Sequence, residues 1–232
     1  DDINYLAQAI RNAALPVLLL GNGASSSRVT GALRRLLEAV KLPVVETFQG
    51  AGIVSRDLEE ETFFGRVGLF RNQPGDMLLK RSDLVIAIGY DPIEYEARNW
   101  NAEISARIVV IDTDTAEIDT YFQPERELIG NIEETLDLLL PAISGYQLPT
   151  GSVEYLKKLK KEMAGDLKFD TNSQAGLIHP LDVIEVLQDN ITDDMTVTVD
   201  LGSHYIWMAR YFKSYEARHL LFSNGMQTLG VA

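Results

Sequence analysis

The sequence predicts an α/β fold built around a doubly wound parallel sheet, followed by a partial second α/β domain. Apolar segments without polar alternation occur at residues 17–20, 84–88 and 108–111, and such segments are typical of parallel strands that are covered on both faces. Segments with apolar residues at helical spacing lie between them. Because strand and helix alternate along the chain, we expect helices on both faces of the sheet.

The elements follow one another in a regular order. Residues 3–10 carry apolar side chains at i, i+3, i+4 and i+7, which is the spacing of one helical face. The remaining predicted elements of the first 145 residues are a strand at 16–21, a helix at 29–40, a strand at 43–47, a short helix near 76–81, strands at 83–89 and 107–114, and a helix at 132–143. We therefore assign residues 1–145 to a central α/β domain.

Two further segments complete the chain. Residues 146–178 read as a linker that contains a helix, because "GYQLPTGS" is rich in glycine and proline and is followed by an apolar helical stripe. A new α/β unit begins at Pro180, since proline suits the first turn of a helix. It comprises helix 180–191, strand 196–201, helix 203–212 and strand 219–223. We expect residues 179–232 to be the truncated N-terminal part of a second domain.

The composition excludes several classes of function. The net charge of −13 argues against a nucleic-acid partner or an anionic membrane surface, because both require clustered lysine and arginine. The chain contains no cysteine, which excludes disulfides, thiolate metal sites and cysteine nucleophiles. Its apolar runs are too short to span a membrane, and its first residues do not resemble a signal peptide. We expect a cytoplasmic protein.

A glycine turn offers the first candidate site. "VLLLGNGASSS" places a strand, then Gly21-Asn22-Gly23, before a helix, and Glu46 ends the following strand. In dinucleotide folds such a turn cradles phosphate and such an acid binds a ribose hydroxyl. Ser26 stands where a third glycine is expected, and the same turn also serves simply to begin a helix. Both interpretations remain open.

Other polar segments favour structural roles. The acidic segments 111–119 and 189–194 lack the histidine, cysteine or calcium-loop pattern that a metal site requires, so we assign no metal ligand within the chain. No G-x-S-x-G motif is present, and we assign no catalytic residue. His179 precedes a proline and His219 opens a predicted strand, which indicates structural roles for both.

The turn Gly202-Ser203-His204 is the strongest candidate site. It lies where a strand gives way to a helix, and the N–H groups of a helix N-terminus attract an anion. Gly202 allows close approach of the backbone, while Ser203 adds a hydroxyl and His204 a donor. This combination suits a phosphate. Helix capping by Ser203 is the alternative.

Two segments near this turn carry a family resemblance. "DLGSHYIWMARYF" (200–212) and "SNGMQTLGVA" (223–232) resemble the start of the cofactor domain of thiamine diphosphate-dependent enzymes. Upstream, "GRVGLFRNQPGD" (65–76) and "GYDPIEYEARNWN" (89–101) resemble the Rossmann-like central domain of the same enzymes. Among them the chain looks most like the catabolic acetolactate synthases, which condense two pyruvates to 2-acetolactate with loss of CO₂.

The resemblance implies a role for individual residues. Gly202, Ser203 and His204 match the turn that contacts the diphosphate of the cofactor. Gln227 matches a position whose backbone carbonyl accepts a hydrogen bond from the aminopyrimidine. Leu229 matches the bulky apolar residue that wedges between the two rings of the cofactor, where relatives often carry methionine.

The resemblance also implies the cofactors and partners. It implies thiamine diphosphate and Mg²⁺, with the metal ligands expected beyond Ala232 and the activating glutamate in another domain. It implies pyruvate as substrate, a homo-oligomer (dimer or tetramer) and no FAD, and we expect no activity from these 232 residues alone. Two alternatives remain: an FAD-containing acetohydroxyacid synthase of branched-chain amino-acid biosynthesis, and a stand-alone nucleotide-binding or regulatory α/β domain.

Overall fold

A six-stranded parallel sheet forms the centre of the molecule, as predicted. The computed structural model describes residues 1–68, 73–166, 177–223 and 229–230. The strands are β1 Pro16–Leu20, β2 Val44–Thr47, β3 Phe63–Val67, β4 Leu84–Ile88, β5 Arg107–Asp112 and β6 Arg126–Ile129. They pair in parallel in the order β3-β2-β1-β4-β5-β6. The strands predicted at 17–20, 84–88 and 108–111 are β1, β4 and β5, all inside the sheet.

Helices cover both faces of this sheet. They are α1 Asp2–Asn12, α2 Ser27–Ala39, α3 Arg56–Thr62, α4 Pro74–Arg81, α5 Ile132–Ala142 and α6 Thr150–Asp166. Leu18 and Leu20 of β1 point to a core shared with α1, α2 and α5, whereas Val17 and Leu19 point to a core shared with α4 and α6. Successive residues of a strand point to opposite faces, so all five residues of β1 are buried.

The sequence did not predict three elements of the central domain. β3 lies at one edge of the sheet and contains Gly65 at φ +100°, with a shift of register against β2. β6 lies at the other edge, and only Leu128 of its four residues is buried. Edge strands need no continuous apolar run because one side is open to solvent. The short helix α3 precedes β3 and buries Leu58 and Thr62.

The segment predicted as a linker with a helix packs on the central domain. Leu156 and Leu159 of α6 are buried in the core that α4 also lines. Lys160 donates a hydrogen bond from Nζ to the carbonyl of Glu59 at 2.8 Å. Within the described residues, no helix is both long and apolar enough to cross a membrane.

A second, smaller unit follows α6. It contains α7 Pro180–Asn190, β7 Val197–Val199, α8 Ser203–Tyr211 and β8 Leu220–Phe222. β7 and β8 form a two-stranded parallel sheet in which Val197 lies opposite Leu220. The central domain contributes Phe48 and Ala51 to the core of this unit. The two units therefore share buried apolar surface.

Close backbone packing also joins the two units. Gly52 has φ +87°, and a Cβ added there would lie 2.2 Å from the carbonyl oxygen of Glu216. Only glycine fits this approach. Arg34 of α2 donates to the carbonyl of Gly52 at 3.1 Å and, across the same junction, to the carbonyl of Tyr215 at 2.6 Å.

A buried ion pair lies beside this junction. Glu46 of β2 and Arg66 of β3 are register partners with side chains 1% and 4% exposed, and their Oε2 and Nε atoms are 3.5 Å apart. Among the described residues Nε finds no acceptor in hydrogen-bond geometry, so the contact is electrostatic. The Glu46 carboxylate accepts hydrogen bonds from the N–H groups of Val54 at 2.8 Å and Gly52 at 3.3 Å. Burial raises the pKa of Glu46 to about 7 against the opposing attraction of Arg66.

This pKa predicts a dependence of stability on pH. Because the pKa of Glu46 is above its ordinary value, the folded protein holds this proton more tightly than the unfolded chain. The stabilisation is fully present below the ordinary pKa of about 4.5 and is lost as pH rises through about 7. Glu46→Gln, which resembles the protonated side chain, lacks this dependence.

Thermal unfolding midpoints of both proteins at pH 5, 6, 7 and 8 test this. We expect the midpoint of the wild type to fall relative to that of Glu46→Gln as pH rises. Two parallel profiles would show that Glu46 does not titrate in this range.

Candidate functional site

The backbone turn between β7 and α8 has a conformation that requires glycine. Gly202 lies at φ +154°, and a Cβ added there would lie 2.7 Å from Cε1 of His204. The imidazole of His204 therefore lies against Gly202. The N–H of Tyr205 donates to the carbonyl of Gly202 at 3.1 Å and closes the first turn of the helix.

Among the described residues, those at the N-terminus of α8 are exposed. Its N-cap residue is Gly202, which has no side chain to accept from the first N–H groups, and Ser203 is the first helical residue. Ser203 therefore does not occupy the N-cap position that the capping alternative assumed. Gly202, Ser203 and His204 are all exposed. Backbone N–H groups, a hydroxyl and an imidazole all belong to this turn, and this set of donors suits an anion.

Asp200 brings a second predicted segment to this turn. Its Oδ2 accepts a hydrogen bond from the N–H of Gly230 at 2.6 Å, and its Oδ1 accepts from the N–H of Leu201 at 2.9 Å. Leu229, whose side chain is 77% exposed, is thereby held beside the turn. Gln227 lies outside the described residues. Sequence reasoning assigned no role to Asp200, although an acid two residues before the glycine of the turn was a visible signal.

The hydrophobic face of α8 fixes the helix against both units. Tyr205, Met208 and Ala209 are buried in the shared core. The ring of Phe48, from the central domain, packs edge-on against Tyr205 with centroids 6.0 Å apart. Buried residues therefore hold the helix, while its first residues remain exposed.

The glycine turn after β1 is packed against the turn after β4. A Cβ at Gly21 would lie 2.4 Å from the carbonyl oxygen of Gly89, and one at Gly23 would lie 2.8 Å from its Cα. The N–H of Gly23 donates to that carbonyl at 2.8 Å. β1 and β4 flank the point where the order of the strands reverses, which is where ligands bind in open α/β sheets. Here the two turns contact each other directly.

A carboxylate of the chain itself occupies the donors of this turn. Glu94 accepts from the N–H of Asn22 at 3.0 Å, from the Thr47 hydroxyl at 2.5 Å and from the N–H of Asp91 at 3.3 Å. Burial raises the pKa of Glu94, and these hydrogen bonds oppose the rise. Glu46, the acid expected to meet a ribose, is buried against Arg66 instead. The contacts thus favour the interpretation of this turn as a helix start.

The remaining polar candidates have local partners. Nδ1 of His179 accepts from the N–H of Leu181 at 3.2 Å at the start of α7, and Nδ1 of His219 lies 2.8 Å from the carbonyl of Asp193. Both histidines therefore have the structural roles that the sequence indicated. In the described ranges no group of three or more histidine, cysteine, aspartate or glutamate residues could hold a metal ion.

Comparison with known proteins agrees with this architecture. A family model described as "Thiamine pyrophosphate enzyme, central domain" matches residues 3–139. The chain is 44% identical over 232 residues to the acetolactate synthase of Bacillus subtilis, covering 100% of this chain and 40% of that protein. It is 40% identical over 235 residues to the catabolic acetolactate synthase of Raoultella terrigena, covering 99% and 41%. This chain thus spans about two fifths of the length of these curated relatives.

The match to the family model extends over more than half of the chain, from α1 to α5. Within it lie all six strands of the parallel sheet. The sequence, the order of the strands and the family model agree. The chain therefore belongs to the thiamine pyrophosphate enzymes, and residues 3–139 form their central domain.

Proposed function

We propose that this chain is part of a thiamine diphosphate-dependent acetolactate synthase, which decarboxylates one pyruvate and joins it to a second to give 2-acetolactate and CO₂. The observation that carries the proposal is the exposed turn Gly202–His204, with Leu229 and Gly230 held beside it by Asp200. The names of the bacterial relatives support the choice of reaction. We further propose a cytoplasmic homo-oligomer, a dimer or tetramer.

The donors at the turn fit the diphosphate of the cofactor. The first N–H groups of α8 point along the helix axis to an anion, and the helix dipole favours negative charge there. Ser203 and His204 add side-chain donors, while the nearby Asp200 carboxylate is occupied by N–H groups of Leu201 and Gly230. When bound, thiamine diphosphate supplies the electron sink for decarboxylation. The chain binds and orients it.

Leu229 is proposed to fix the bent shape of the cofactor. Its side chain is 77% exposed and follows directly after the segment that contains Gln227. An apolar side chain of this size can separate two rings by contact alone. The backbone carbonyl of Gln227 is proposed to accept from the aminopyrimidine.

Complete turnover is proposed to need residues from other parts of the full-length enzyme. In the described residues no metal-binding cluster occurs, and the proposed Mg²⁺ that accompanies the diphosphate takes its ligands from elsewhere in the full-length enzyme. The activating glutamate is proposed to come from a separate domain. We expect negligible turnover from the 232 residues alone.

The central domain is proposed to work without FAD. The contact between Gly21 and Gly89 and the carboxylate of Glu94 occupy the region where a dinucleotide would lie. The phosphate of a nucleotide bound there would be repelled by this carboxylate. This argues against both the FAD-containing acetohydroxyacid synthase and the stand-alone nucleotide-binding domain.

Titration of the full-length enzyme with FAD tests the role of Glu94. We expect no saturable heat of binding, because Glu94 holds the donors that a phosphate would need. Glu94→Ala should lower stability by about 1–3 kcal/mol, since three donors lose their acceptor. Glu94→Gln, which keeps one acceptor oxygen, should lose less. Saturable binding of FAD to the wild type would contradict the proposal.

His204→Ala in the full-length enzyme should weaken the binding of thiamine diphosphate roughly tenfold, because a charge-assisted donor to the diphosphate is lost. Turnover at saturating cofactor should change less than affinity. Equilibrium titration with thiamine diphosphate in excess Mg²⁺ measures the first quantity, and initial rates with pyruvate measure the second. Unchanged affinity would exclude His204 from the diphosphate site.

Leu229→Ala should reduce turnover more than affinity, because the diphosphate contacts remain while the reacting atoms are no longer held in position. Leu229→Met is the matched control and should be nearly silent, since it conserves volume and apolarity. Titration with thiamine diphosphate in excess Mg²⁺ measures affinity, and initial rates with pyruvate measure turnover. If Leu229→Ala lowers affinity but leaves saturated turnover unchanged, the wedge assignment is wrong.

A further inference from the structure

The side chain of Arg66 bonds the C-terminus of α8 to the central domain. Nη1 of Arg66 donates to the carbonyls of Ala209 at 3.1 Å and Phe212 at 2.8 Å. Ala209 lies in the last turn of α8, and Phe212 is its C-cap. The last carbonyls of a helix lack partners within it, and a cation is favoured there. Arg66 therefore caps α8 from the neighbouring domain.

The opposite end of the same helix carries the candidate diphosphate site. α8 contains nine residues, which gives a length of about 13 Å at 1.5 Å per residue. A helix this short is nearly rigid, so a displacement at one end moves the other. Arg66 thus lies at the end of α8 opposite the candidate site but can determine where Gly202, Ser203 and His204 lie.

Glu46 orients the guanidinium of Arg66. The two residues are register partners on adjacent strands, and backbone N–H groups of Gly52 and Val54 fix the carboxylate. The arginine is thereby held on the rigid sheet. Burial of two charges is costly, and a pair of apolar residues often stabilises a fold equally well. Stability alone is therefore a weak explanation for this pair.

We propose that Arg66, oriented by Glu46, is a positioning residue that places the diphosphate-binding turn by fixing the C-terminus of α8. The inference rests on the proposed function, since it requires that the turn bind the cofactor. It gives the central domain an indirect part in cofactor binding, through backbone carbonyls of a helix that belongs to the neighbouring unit.

Arg34 provides a matched control. It also joins the two units, by donating to the backbone carbonyl of Tyr215, while it donates to the carbonyls of Gly52 and Ile53 within its own domain. Tyr215 lies in the loop that follows α8, beyond its C-cap. Loss of Arg34 should therefore weaken the junction without releasing the helix end itself.

Substitution of Arg66 is sterically tolerable. The side chain borders a cavity of about 200 Å³ that Glu46, Met163 and Phe212 also line. A methionine at position 66 can extend along it. Arg66→Lys keeps the charge but lacks the planar fork of donors, and serves as the milder variant.

The test measures the affinity of the full-length enzyme for thiamine diphosphate in excess Mg²⁺. The temperature is kept well below the unfolding midpoint of every variant. We expect Arg66→Met to raise the dissociation constant about tenfold or more, Arg66→Lys to have an intermediate effect, and Arg34→Met to remain within about twofold of wild type. Unfolding midpoints without cofactor should fall in both methionine variants. A structural role alone would lower the midpoints and leave the affinities equal.

His204→Ala separates a failure of the proposed cofactor site from a failure of the positioning role of Arg66. If His204→Ala weakens binding while Arg66→Met and Arg66→Lys do not, the positioning inference is overturned and the cofactor site stands. If His204→Ala, Arg66→Met and Arg66→Lys all leave affinity unchanged, the assignment of the turn is wrong and the inference falls with it. Should Arg66→Met fail to fold, Arg66→Lys against Arg34→Lys decides the question in the same titration.

Discussion

Parallel pairing of β1 with β4, both covered on their two faces, is the constraint on which the rest of the molecule depends. All five residues of each strand are buried, and Leu18 lies opposite Ile86 in their register. Because the pairing is parallel, the carboxyl ends of both strands meet at one edge. The turns that follow them must then share a small space. Their glycines allow this, and the contact between Gly23 and Gly89 results.

That contact explains how a fold suited to dinucleotides can have a structural role. The donors that would meet a phosphate are still present, in the N–H groups of Asn22 and Asp91 and the hydroxyl of Thr47. Glu94 supplies the negative charge from within the chain. An internal carboxylate satisfies these donors without the entropic cost of binding a separate molecule. In the proposed function the central domain is left to support its neighbour.

The support is concentrated at the junction between the two units. Phe48 and Ala51 enter the core of the second unit, and Arg34 and Arg66 donate to backbone carbonyls across the boundary. Apolar contact provides the burial, while the two arginines specify where backbone segments lie. The exposed turn Gly202–His204 is therefore carried on an element whose other end is fixed by the central domain.

The sequence by itself determined the elements whose signal is local. Uninterrupted apolar runs identify β1, β4 and β5 because strands buried on both faces are composed mainly of apolar residues. Gly202-Ser203-His204 is readable because a turn before a helix needs only neighbouring residues. Edge strands β3 and β6 carried no such signal, since one side of each lacks a neighbouring strand.

Only the tertiary structure decided the contacts between residues distant in the sequence. Glu94 reaches Asn22 across 72 positions, and Arg66 reaches Phe212 across 146. Asp200 meets Gly230 across 30 positions. No periodicity or motif records such pairs, because they arise from the order of the strands and from packing between elements far apart in the chain. Strand order and domain packing therefore determined which polar groups are available to a ligand.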